Sequence, residues 1–356
     1  MHQAADGALV RVRLPGGAIT AAQLAALASV SSEFGSGTLE LTARGNVQIR
    51  GITTTIPSTI ARLLSEAGLL PSTTHELVRN VVASPLSGRT GGLVDVRPWV
   101  CELDAAICAE PSLAGLGGRF WFSLDDGRTE VSGLCADLGA QVLCTGSGQN
   151  VALLLAGRDT GVRMAAGEVV ARLIELALKF VEVRGNAWRV KELSDISALL
   201  PGCELQAGYP PVTRPPVGWI EQGDGRIALG AAVPLGVLTA RVAEFLAAIE
   251  APLVITPWRS VLICDLSEDV AEVALRVLAP LGLIFDENSP WLNVSACTGS
   301  PGCARSAANV RADAALSLEA PSGVHRHFVG CQRACGSPPA GEVLVATPGG
   351  YRPLKS

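Results

Sequence analysis

The sequence has few charged residues and no long uninterrupted apolar run. Charged residues make up 17% of the 356 residues and hydrophobic residues 48%, which excludes a disordered chain because disorder requires high charge and low hydrophobicity. The longest obvious apolar run, residues 227–240, has 14 residues and is interrupted by Gly230, Pro234 and Gly236. A membrane-spanning helix needs about 20 apolar residues. We therefore expect no membrane-spanning segment and no membrane partner.

An excess of basic residues is also absent. Lys and Arg number 28 against 33 Asp and Glu, a net charge of −5, so a general nucleic-acid-binding protein is excluded and any anion site must be a local basic pocket. Residues 1–6 lack the basic and apolar regions of a signal peptide, which predicts a cytoplasmic protein. In that compartment most of the ten cysteines should be reduced, and a clustered subset should bind metal.

The chain contains an internal repeat. Matching residues in the two copies are Asp6 and Asp224, Thr20 and Thr239, and Asn80 and Asn293. These pairs occur in the same order at offsets of 218, 219 and 213 residues, a pattern typical of a duplicated unit. Thr20 and Thr239 each precede an Ala/Leu-rich segment and are predicted helix N-caps. Strands alternate with helices in each copy, which predicts an α+β or α/β fold.

One segment combines apolar residues with polar ones in alternation. If Leu39–Ile52 is a strand, Glu40, Thr42, Arg44, Asn46, Gln48 and Arg50 share one face. That face is either an ordinary solvated surface or a basic surface for an anionic ligand, since arginine binds carboxylates through two parallel hydrogen bonds. The repeat partner, residues 254–264, lacks this polar face. Only the first copy is therefore expected to contact a ligand.

Four cysteines form two spaced pairs near the end of the sequence. Cys297 and Cys303 are spaced Cys-x5-Cys, and Cys331 and Cys335 are spaced Cys-x3-Cys. Two separated pairs of thiolates can ligate a [4Fe–4S] cluster; structural zinc and unrelated cysteines are the alternatives, although the x5 gap fits zinc poorly. The other six cysteines are interpreted as small buried hydrophobic residues: Cys101, Cys108, Cys135, Cys144, Cys203 and Cys264.

These motifs resemble the sulfite and nitrite reductase haemoprotein family over about residues 5–350. The cysteine spacing matches that family's signature, L-T-A-R-G-N-V-Q-I-R-G-I from Leu41 resembles its first sirohaem-binding strand, and R-N-V-V-A-S-P from Arg79 resembles its second arginine motif. The resemblance implies that the four cysteines ligate the cluster. It implies that tetrapyrrole carboxylates are bound by Arg44, Gln48, Arg50, Arg79 and Arg119.

One departure from the family pattern indicates a particular branch. The family's lysine-rich stretch corresponds to Gly118–Gly127, where Arg119 alone remains basic and Trp121 takes the last lysine position. F-x-F-S-L-D-D-G, A-C-T-G-S-P-G-C, T-P-W-R at Thr256–Arg259 and the basic Arg333 are more similar to the branch that acts in aerobic cobalamin biosynthesis. That resemblance implies a monooxygenase that uses O2 and a reductant to convert precorrin-3A into the C20-hydroxylated γ-lactone precorrin-3B.

The resemblance also implies cofactors and partners. NADH is the expected electron source, but no G-x-G-x-x-G lies between a strand and a helix. We therefore expect NADH either to act as an indirect donor or to bind without a recognisable motif, and an electron-donor protein is a candidate partner. A non-haem iron is implied as well, for which His325, His327 and Asp125 or Asp126 are weak candidate ligands. The substrates are a tetrapyrrole and O2, and a monomer is expected because one duplicated chain forms a complete core.

The resemblance implies an α+β fold, with a duplicated pseudo-two-fold arrangement of ferredoxin-like half-domains and sirohaem/Fe–S-type α/β domains. The predicted boundaries are 1–75 and 76–205 for the first repeat, a Pro-rich linker at 206–217, then 218–288 and a cluster-binding domain at 289–356. Two other functions stay open. One is a sirohaem-dependent sulfite or nitrite reductase, and the other is a non-enzymatic electron-transfer or scaffold protein stabilised by an iron–sulfur cluster or zinc.

Overall fold

The structure is a computed structural model that describes residues 2–53, 57–144, 150–319 and 322–354. Within these ranges the α-helices are α1 (Ala21–Phe34), α2 (Pro57–Glu66), α3 (Arg97–Ala109), α4 (Val169–Val183), α5 (Ala240–Ala247), α6 (Glu268–Leu278) and α7 (Val310–Leu316).

The strands of the first copy are β1 (His2–Ala4), β2 (Gly7–Val12), β3 (Ala18–Ile19), β4 (Thr38–Leu41), β5 (Val47–Ile52), β6 (Val81–Ala83), β7 (Phe122–Asp125), β8 (Leu138–Val142), β9 (Val151–Leu155) and β10 (Arg158–Met164). Those of the second copy are β11 (Gly218–Glu221), β12 (Ile227–Ala232), β13 (Val237–Thr239), β14 (Leu253–Ile255), β15 (Ser260–Leu266), β16 (Val294–Ala296), β17 (Arg326–Val329), β18 (Glu342–Thr347) and β19 (Gly350–Pro353).

Two five-stranded antiparallel sheets exchange a strand. One has the order β1-β2-β5-β4-β13 and the other β11-β12-β15-β14-β3. The second copy therefore contributes β13 to the sheet of the first, with Leu238 opposite Leu39, and the first contributes β3 in return, with Ile19 opposite Leu253. Because each sheet needs a strand from the other copy, the duplication is built into the hydrogen bonding.

The helices that follow the exchanged strands begin as the sequence predicts. The Thr20 side chain accepts a hydrogen bond from the backbone amide of Gln23 and starts α1 with a capping box. The Thr239 side chain accepts the equivalent bond from Val242 and starts α5. Threonine oxygen satisfies an amide that has no partner inside the helix, so both copies use the same start signal.

The segment predicted as one polar-faced strand is a hairpin. Leu39–Ile52 contains β4, a tight turn and β5, and the turn closes where the Thr42 amide donates to the Asn46 carbonyl over 2.9 Å. Gly45 lies in this turn with φ +64°, a conformation that glycine adopts without a steric penalty. The single-strand prediction is wrong because the glycine turn reverses the chain, which leaves Arg44 in the turn.

The other two sheets are also copies of one another. β6, β7 and β8 run parallel and β9 runs antiparallel to β8, while β16, β17 and β18 run parallel and β19 runs antiparallel to β18. The Ser84 amide donates to the Leu124 carbonyl (3.1 Å) as the Cys297 amide donates to the Phe328 carbonyl (2.9 Å). Ser84 therefore occupies the position of Cys297. The fold is α+β and duplicated, as predicted.

The chain forms two compact units. One comprises Met1–Val12, Ala18–Leu70 and Thr213–Ser356, and the other comprises Arg13–Gly17 and Pro71–Val212. In the second unit, β6–β10, α3 and α4 enclose a large apolar core in which Phe120 contacts Phe122 and Phe180. The core beside β16 and β17 is much smaller. In the described part of the chain, no helix is long and apolar enough to cross a membrane.

The prediction that the other six cysteines are buried is wrong for most of them. Cys264 is buried on β15, Cys108 and Cys203 are half-buried, and Cys101, Cys135 and Cys144 are exposed. All six are reduced. The small, apolar side chain of cysteine is therefore not sufficient to predict whether these residues are buried.

Candidate functional site

The four predicted cluster cysteines lie in two loops at one edge of the last sheet. Cys297 directly follows β16, and Cys331 lies two residues after β17. β16 and β17 are neighbouring parallel strands, so their carboxyl ends meet at the same edge. Cys303 and Cys335 lie farther along the same two loops, where the Cys303 amide donates to the Gly299 carbonyl over 2.8 Å. Strand pairing thus brings together segments that are about 30 residues apart in sequence.

The thiols are close enough to affect one another electrostatically. The pKa of Cys335 is raised, first by partial removal from water and then by the negative charges of Cys297, Cys331 and Cys303. Arg333 has the opposite effect. Part of Cys335 nevertheless remains solvent-exposed, while the other three are half-buried. Neighbouring thiolates that repel one another in this way are stabilised when they bind a positively charged metal centre.

Small residues in both loops allow the backbone to approach the sulfur atoms. The Gly330 amide donates a hydrogen bond to Cys297 Sγ at 3.4 Å, a contact that tunes the electronic properties of a bound centre. A Cβ atom on Gly330 would overlap Ser306 Oγ and would lie 2.8 Å from the Ser306 Cα atom. Glycine is therefore required at this position by packing.

An iron–sulfur cluster and a single metal ion need different arrangements of donors. Among the described residues, no group of three or more His, Cys, Asp or Glu side chains is arranged to hold one ion. A single zinc ion needs four donors around one centre, whereas each thiolate of a [4Fe–4S] cluster binds a different iron atom. The four thiols lie on two loops at one sheet edge and could supply the thiolates of a cluster.

The polar face of the first ferredoxin-like sheet lies against the Cys297–Cys303 loop. Glu40 on β4 is buried and accepts hydrogen bonds from Gln48 Nε2 at 2.7 Å and from Thr298 Oγ1 at 3.4 Å. Arg311 of α7 lies 2.6 Å from the other carboxylate oxygen. Gln48 also accepts from Arg11 at 2.9 Å. This carboxylate thus joins the sheet to both the cysteine loop and α7.

Arg50 on β5 contacts the other end of the same loop. Its guanidinium donates two hydrogen bonds to the Asp6 carboxylate, at 2.9 and 3.0 Å. It also donates to the Gly302 carbonyl at 2.6 Å, and Gly302 immediately precedes Cys303. Arg50 and Glu40 are both buried, so the face predicted as either solvated or ligand-binding is largely enclosed by the protein.

Sequence reasoning missed Arg259, which comes from the second copy. It occupies the hairpin turn between β14 and β15, in the position of Gly45, and its guanidinium donates to the Gly336 carbonyl at 2.7 Å. Burial and then the nearby Arg311 lower the Arg259 pKa to about 10, while Cys297 and Glu40 oppose that shift. Arg259 belongs to the Thr256–Arg259 motif but was assigned no role from the sequence. Strand alternation gave no indication that its side chain reaches a cysteine loop.

The two candidate iron-ligand histidines are held in a hydrogen-bonded chain. Ser295 Oγ lies 2.8 Å from His325 Nε2 and 2.7 Å from His327 Nδ1. The other ring nitrogens contact the carbonyls of Leu292 and Cys335 at 3.2 and 3.1 Å. Burial, followed by the charge of Arg259, lowers the His327 pKa to about 3. All four ring nitrogens are engaged, and His327 contacts the Cys335 loop through the Cys335 carbonyl.

The carboxylates proposed beside those histidines are also engaged. Asp125 accepts hydrogen bonds from the backbone amides of Gly127, Thr129, Val131 and Ser132. Asp126 forms an ion pair with Arg128 at 2.8 Å. Within their own unit these side chains fix the loop after β7, and the described residues provide no ligand set for a non-haem iron.

The predicted carboxylate-binding arginines fall in both units. Arg44 is half-buried in the β4–β5 turn of the first unit. Arg79 is buried in the second unit and forms two 2.8 Å hydrogen bonds with Asp104. Arg119, in the same unit as Arg79, is 59% exposed at its side chain and lies 3.3 Å from Glu192. The guanidinium of Arg119 is thus the more accessible of these two.

Comparison with known proteins finds three kinds of similarity. Residues 2–65 match the nitrite/sulfite reductase ferredoxin-like half domain. The chain is 29% identical to a precorrin-3B synthase from Sinorhizobium sp over 98% of this chain and 79% of that protein. It is 32% identical to a ferredoxin–nitrite reductase from Leptolyngbya laminosa over 32% of this chain and 23% of that protein. The Mycobacterium tuberculosis NirA protein has the same fold, with a TM-score of 0.76, 20% identity, and coverage of 97% of this chain and 73% of that chain.

Residues 2–65 are therefore similar to the nitrite/sulfite reductase ferredoxin-like half domain, and the whole chain shares the fold of the NirA protein. The similarity to the precorrin-3B synthase extends over almost the whole chain. The ferredoxin–nitrite reductase matches only about a third of the chain. Trp121, where the sequence departs from the resembled lysine-rich stretch, is buried in the second unit, and its backbone amide donates to Asp137 Oδ2.

Proposed function

We propose that the chain catalyses the precorrin-3B synthase reaction in aerobic cobalamin biosynthesis. In this reaction O2 adds one oxygen atom to precorrin-3A to give the C20-hydroxylated γ-lactone precorrin-3B, and a reductant supplies the electrons that reduce the other oxygen atom to water. The observation that carries the proposal is a paired-cysteine edge lying against an arginine-bearing sheet face, in a chain similar over nearly its full length to a precorrin-3B synthase. An oxidoreductase of this family needs an electron carrier and a site for a polycarboxylated tetrapyrrole.

The first part of the proposal concerns the cofactor. Cys297, Cys303, Cys331 and Cys335 would ligate a [4Fe–4S] cluster, which supplies electrons to the reaction when bound. The Gly330 amide bonded to Cys297 Sγ would stabilise the charge on that sulfur. NADH is proposed as the distant source of electrons, acting through an electron-donor protein.

The second part concerns the substrate. Arg119 is proposed to bind a tetrapyrrole carboxylate directly, because its exposed ion pair with Glu192 exchanges partners at little cost. Arg44 is proposed to bind a carboxylate from its half-buried position in the β4–β5 turn. Gln48, Arg50 and Arg79 would first have to break buried hydrogen bonds, which is expensive. Their contribution to the substrate site is therefore proposed to be mainly structural.

The test is anaerobic reconstitution with iron and sulfide, followed by incubation with precorrin-3A, reductant and O2. The expected product is the lactone carrying one additional oxygen atom, identified by mass spectrometry and NMR. A parallel incubation without O2 should leave precorrin-3A unchanged. If no lactone forms under conditions in which a known precorrin-3B synthase turns over, the proposed activity is rejected.

The partial similarity to a ferredoxin–nitrite reductase keeps a sirohaem-dependent sulfite or nitrite reductase as the second candidate. The visible spectrum separates the two, since a sirohaem band in the isolated protein would favour the reductase. The third candidate is a non-enzymatic electron-transfer or scaffold protein. Metal analysis that finds zinc without iron or sulfide would favour that assignment.

A further inference from the structure

Three side chains outside the cysteine loops each contact a residue adjacent to a cysteine. Glu40 accepts a hydrogen bond from Thr298, which follows Cys297. Arg50 donates to the carbonyl of Gly302, which precedes Cys303. Arg259 donates to the carbonyl of Gly336, which follows Cys335. All of these residues lie in the first unit, and the two ferredoxin-like sheets thus hold both cysteine loops.

The packing around Arg259 indicates that this arrangement is specific. Arg259 has φ +56°, a left-handed conformation that is costly for a residue with a Cβ atom. The equivalent turn of the first copy has Gly45 at φ +64°. Gly336 has φ +76°, which favours glycine, and its carbonyl accepts the hydrogen bond from the Arg259 guanidinium. The contact therefore joins two residues that both have left-handed backbone conformations.

We propose that Glu40, Arg50 and Arg259 are positioning residues for the iron–sulfur cluster, which fix its cysteine loops and set its reduction potential by their charges. This inference rests on the cluster of the proposed function. The proposal gives Arg50 a role at the Cys297–Cys303 loop. It also gives a role to Glu40 and Arg259, which have no assigned role in binding or catalysis.

The charges predict shifts of opposite sign. Reduction adds one negative charge to the cluster, so a nearby positive side chain favours the reduced form and a nearby negative one disfavours it. Glu40 and Arg50 are buried, where salt screens their fields only weakly. Glu40→Gln should therefore shift the potential in the positive direction, and Arg259→Met and Arg50→Met in the negative direction.

The experiment is a redox titration of the reconstituted protein, followed by EPR of the reduced cluster, for the wild type and these variants. Arg50→Lys, which keeps the charge but cannot form the same paired contacts, separates charge from geometry. Iron release to a chelator is measured in parallel, and ~10-fold faster release is expected for Arg50→Lys if about 1.4 kcal/mol of loop anchoring is lost. Arg226→Met and Asp224→Asn are matched controls, since both residues lie in the exposed β11–β12 turn.

Opposite shifts for Glu40→Gln and Arg259→Met, with unchanged controls, support the inference. Potentials equal to the wild type in correctly folded, cluster-containing variants overturn it, as do shifts of the same sign. If the wild-type protein itself retains no iron and sulfide, the proposed function fails at its cofactor and the positioning role fails with it. A wild type that binds the cluster and makes precorrin-3B while the variants keep their potentials rejects the positioning role alone.

Discussion

The two copies of the repeat have corresponding strands but carry different side chains at equivalent positions. In the first copy, the face of the ferredoxin-like sheet carries Glu40 and Arg50; in the second, the equivalent positions are Val254 and Cys264, both buried. At the edge of the other sheet the distribution is reversed, because Cys297 of the second copy corresponds to Ser84 of the first.

Even the hydrogen bonds at that edge correspond. The Gly330 amide donates to Cys297 Sγ, and the Asp126 amide donates to Ser84 Oγ at 3.2 Å. Duplication thus preserved the backbone while the side chains diverged. The cysteine loops come from the second copy, whereas Glu40 and Arg50, which contact one of these loops, come from the first, so the site requires both.

The largest expected effect comes from removing a cluster ligand. The sheet edge of the second copy would then lack a bound cluster, like the equivalent edge of the first copy. Cys331→Ser should lose the cluster because a hydroxyl is a poor substitute for a thiolate ligand to iron. Iron and sulfide analysis and EPR of the reduced protein measure this. Cys101→Ser, at an exposed cysteine outside the loops, is the control and should keep the cluster. A Cys331→Ser protein that stays brown would contradict the assignment.

The next largest effect concerns the polar face of the first ferredoxin-like sheet. It is tested by replacing Glu40 with the residue at the equivalent position of the second copy. Glu40→Val, which copies Val254, should cost about 3–5 kcal/mol because it leaves Arg311 and Gln48 without their buried partner. Urea unfolding of the cluster-loaded protein measures the change. Glu66→Val removes an exposed ion pair and should cost under about 1 kcal/mol. Equal losses for both variants would show that burial of the Glu40 network contributes nothing.

A smaller effect concerns the two hairpin turns. Arg44→Ala should weaken tetrapyrrole binding by about 1.5–3 kcal/mol through loss of a charge-assisted hydrogen bond, whereas Trp258→Ala at the equivalent position should not. Fluorescence titration with uroporphyrin, a stable polycarboxylated tetrapyrrole, measures both. Unchanged affinity in Arg44→Ala would show that this turn does not contact the ligand.

The carboxylates that follow β7 predict a pH effect in the first copy. Burial, opposed by Arg128, raises the pKa of Glu130 to about 7. The folded state then holds a proton that the unfolded state releases near pH 4.5, so Glu130 weakens stability as the pH rises from about 4.5 to 7. Glu130→Gln should gain on the order of 2 kcal/mol at pH 8, since the side chain is only 16% exposed and solvent screening is limited.

Urea unfolding of the Glu130→Gln variant and the wild type at pH 8 and pH 5 checks this expectation. The difference in unfolding free energy between the two proteins should shrink toward pH 5. A constant difference at both values would rule out titration of Glu130 as its cause.

The smallest effect concerns the matched helix starts. Thr20→Ala and Thr239→Ala should each cost about 1 kcal/mol. Thr20→Ala should cost more, since α1 has a capping box and α5 a single capping bond. Thermal unfolding of the two variants tests this order, and Thr20→Ser and Thr239→Ser, which keep the hydroxyl, serve as controls. The reverse order would show that the caps are not equivalent in the two copies.

Local signals in the sequence were sufficient for much of this structure. Thr20 and Thr239 mark helix starts because a side-chain oxygen satisfies a nearby amide, which needs no distant partner. The repeat offsets predicted two copies of one fold, and the cysteine spacing predicted which residues share a loop. The alternation between Leu39 and Ile52 predicted β-structure, but it did not reveal that Gly45 turns the chain.

The sequence by itself determined the duplicated α+β fold and the four cysteines, because periodicity, capping and spacing are properties of neighbouring residues. Only the tertiary structure decided that β3 and β13 exchange sheets, that Arg259 reaches Gly336, and that Glu40 joins Thr298 to Arg311. These contacts link residues more than 75 positions apart, except for the Thr298–Arg311 neighbourhood itself. These contacts form because charges and backbone groups that become buried on folding need hydrogen-bond partners. Sequence spacing does not show which distant residue will be within reach.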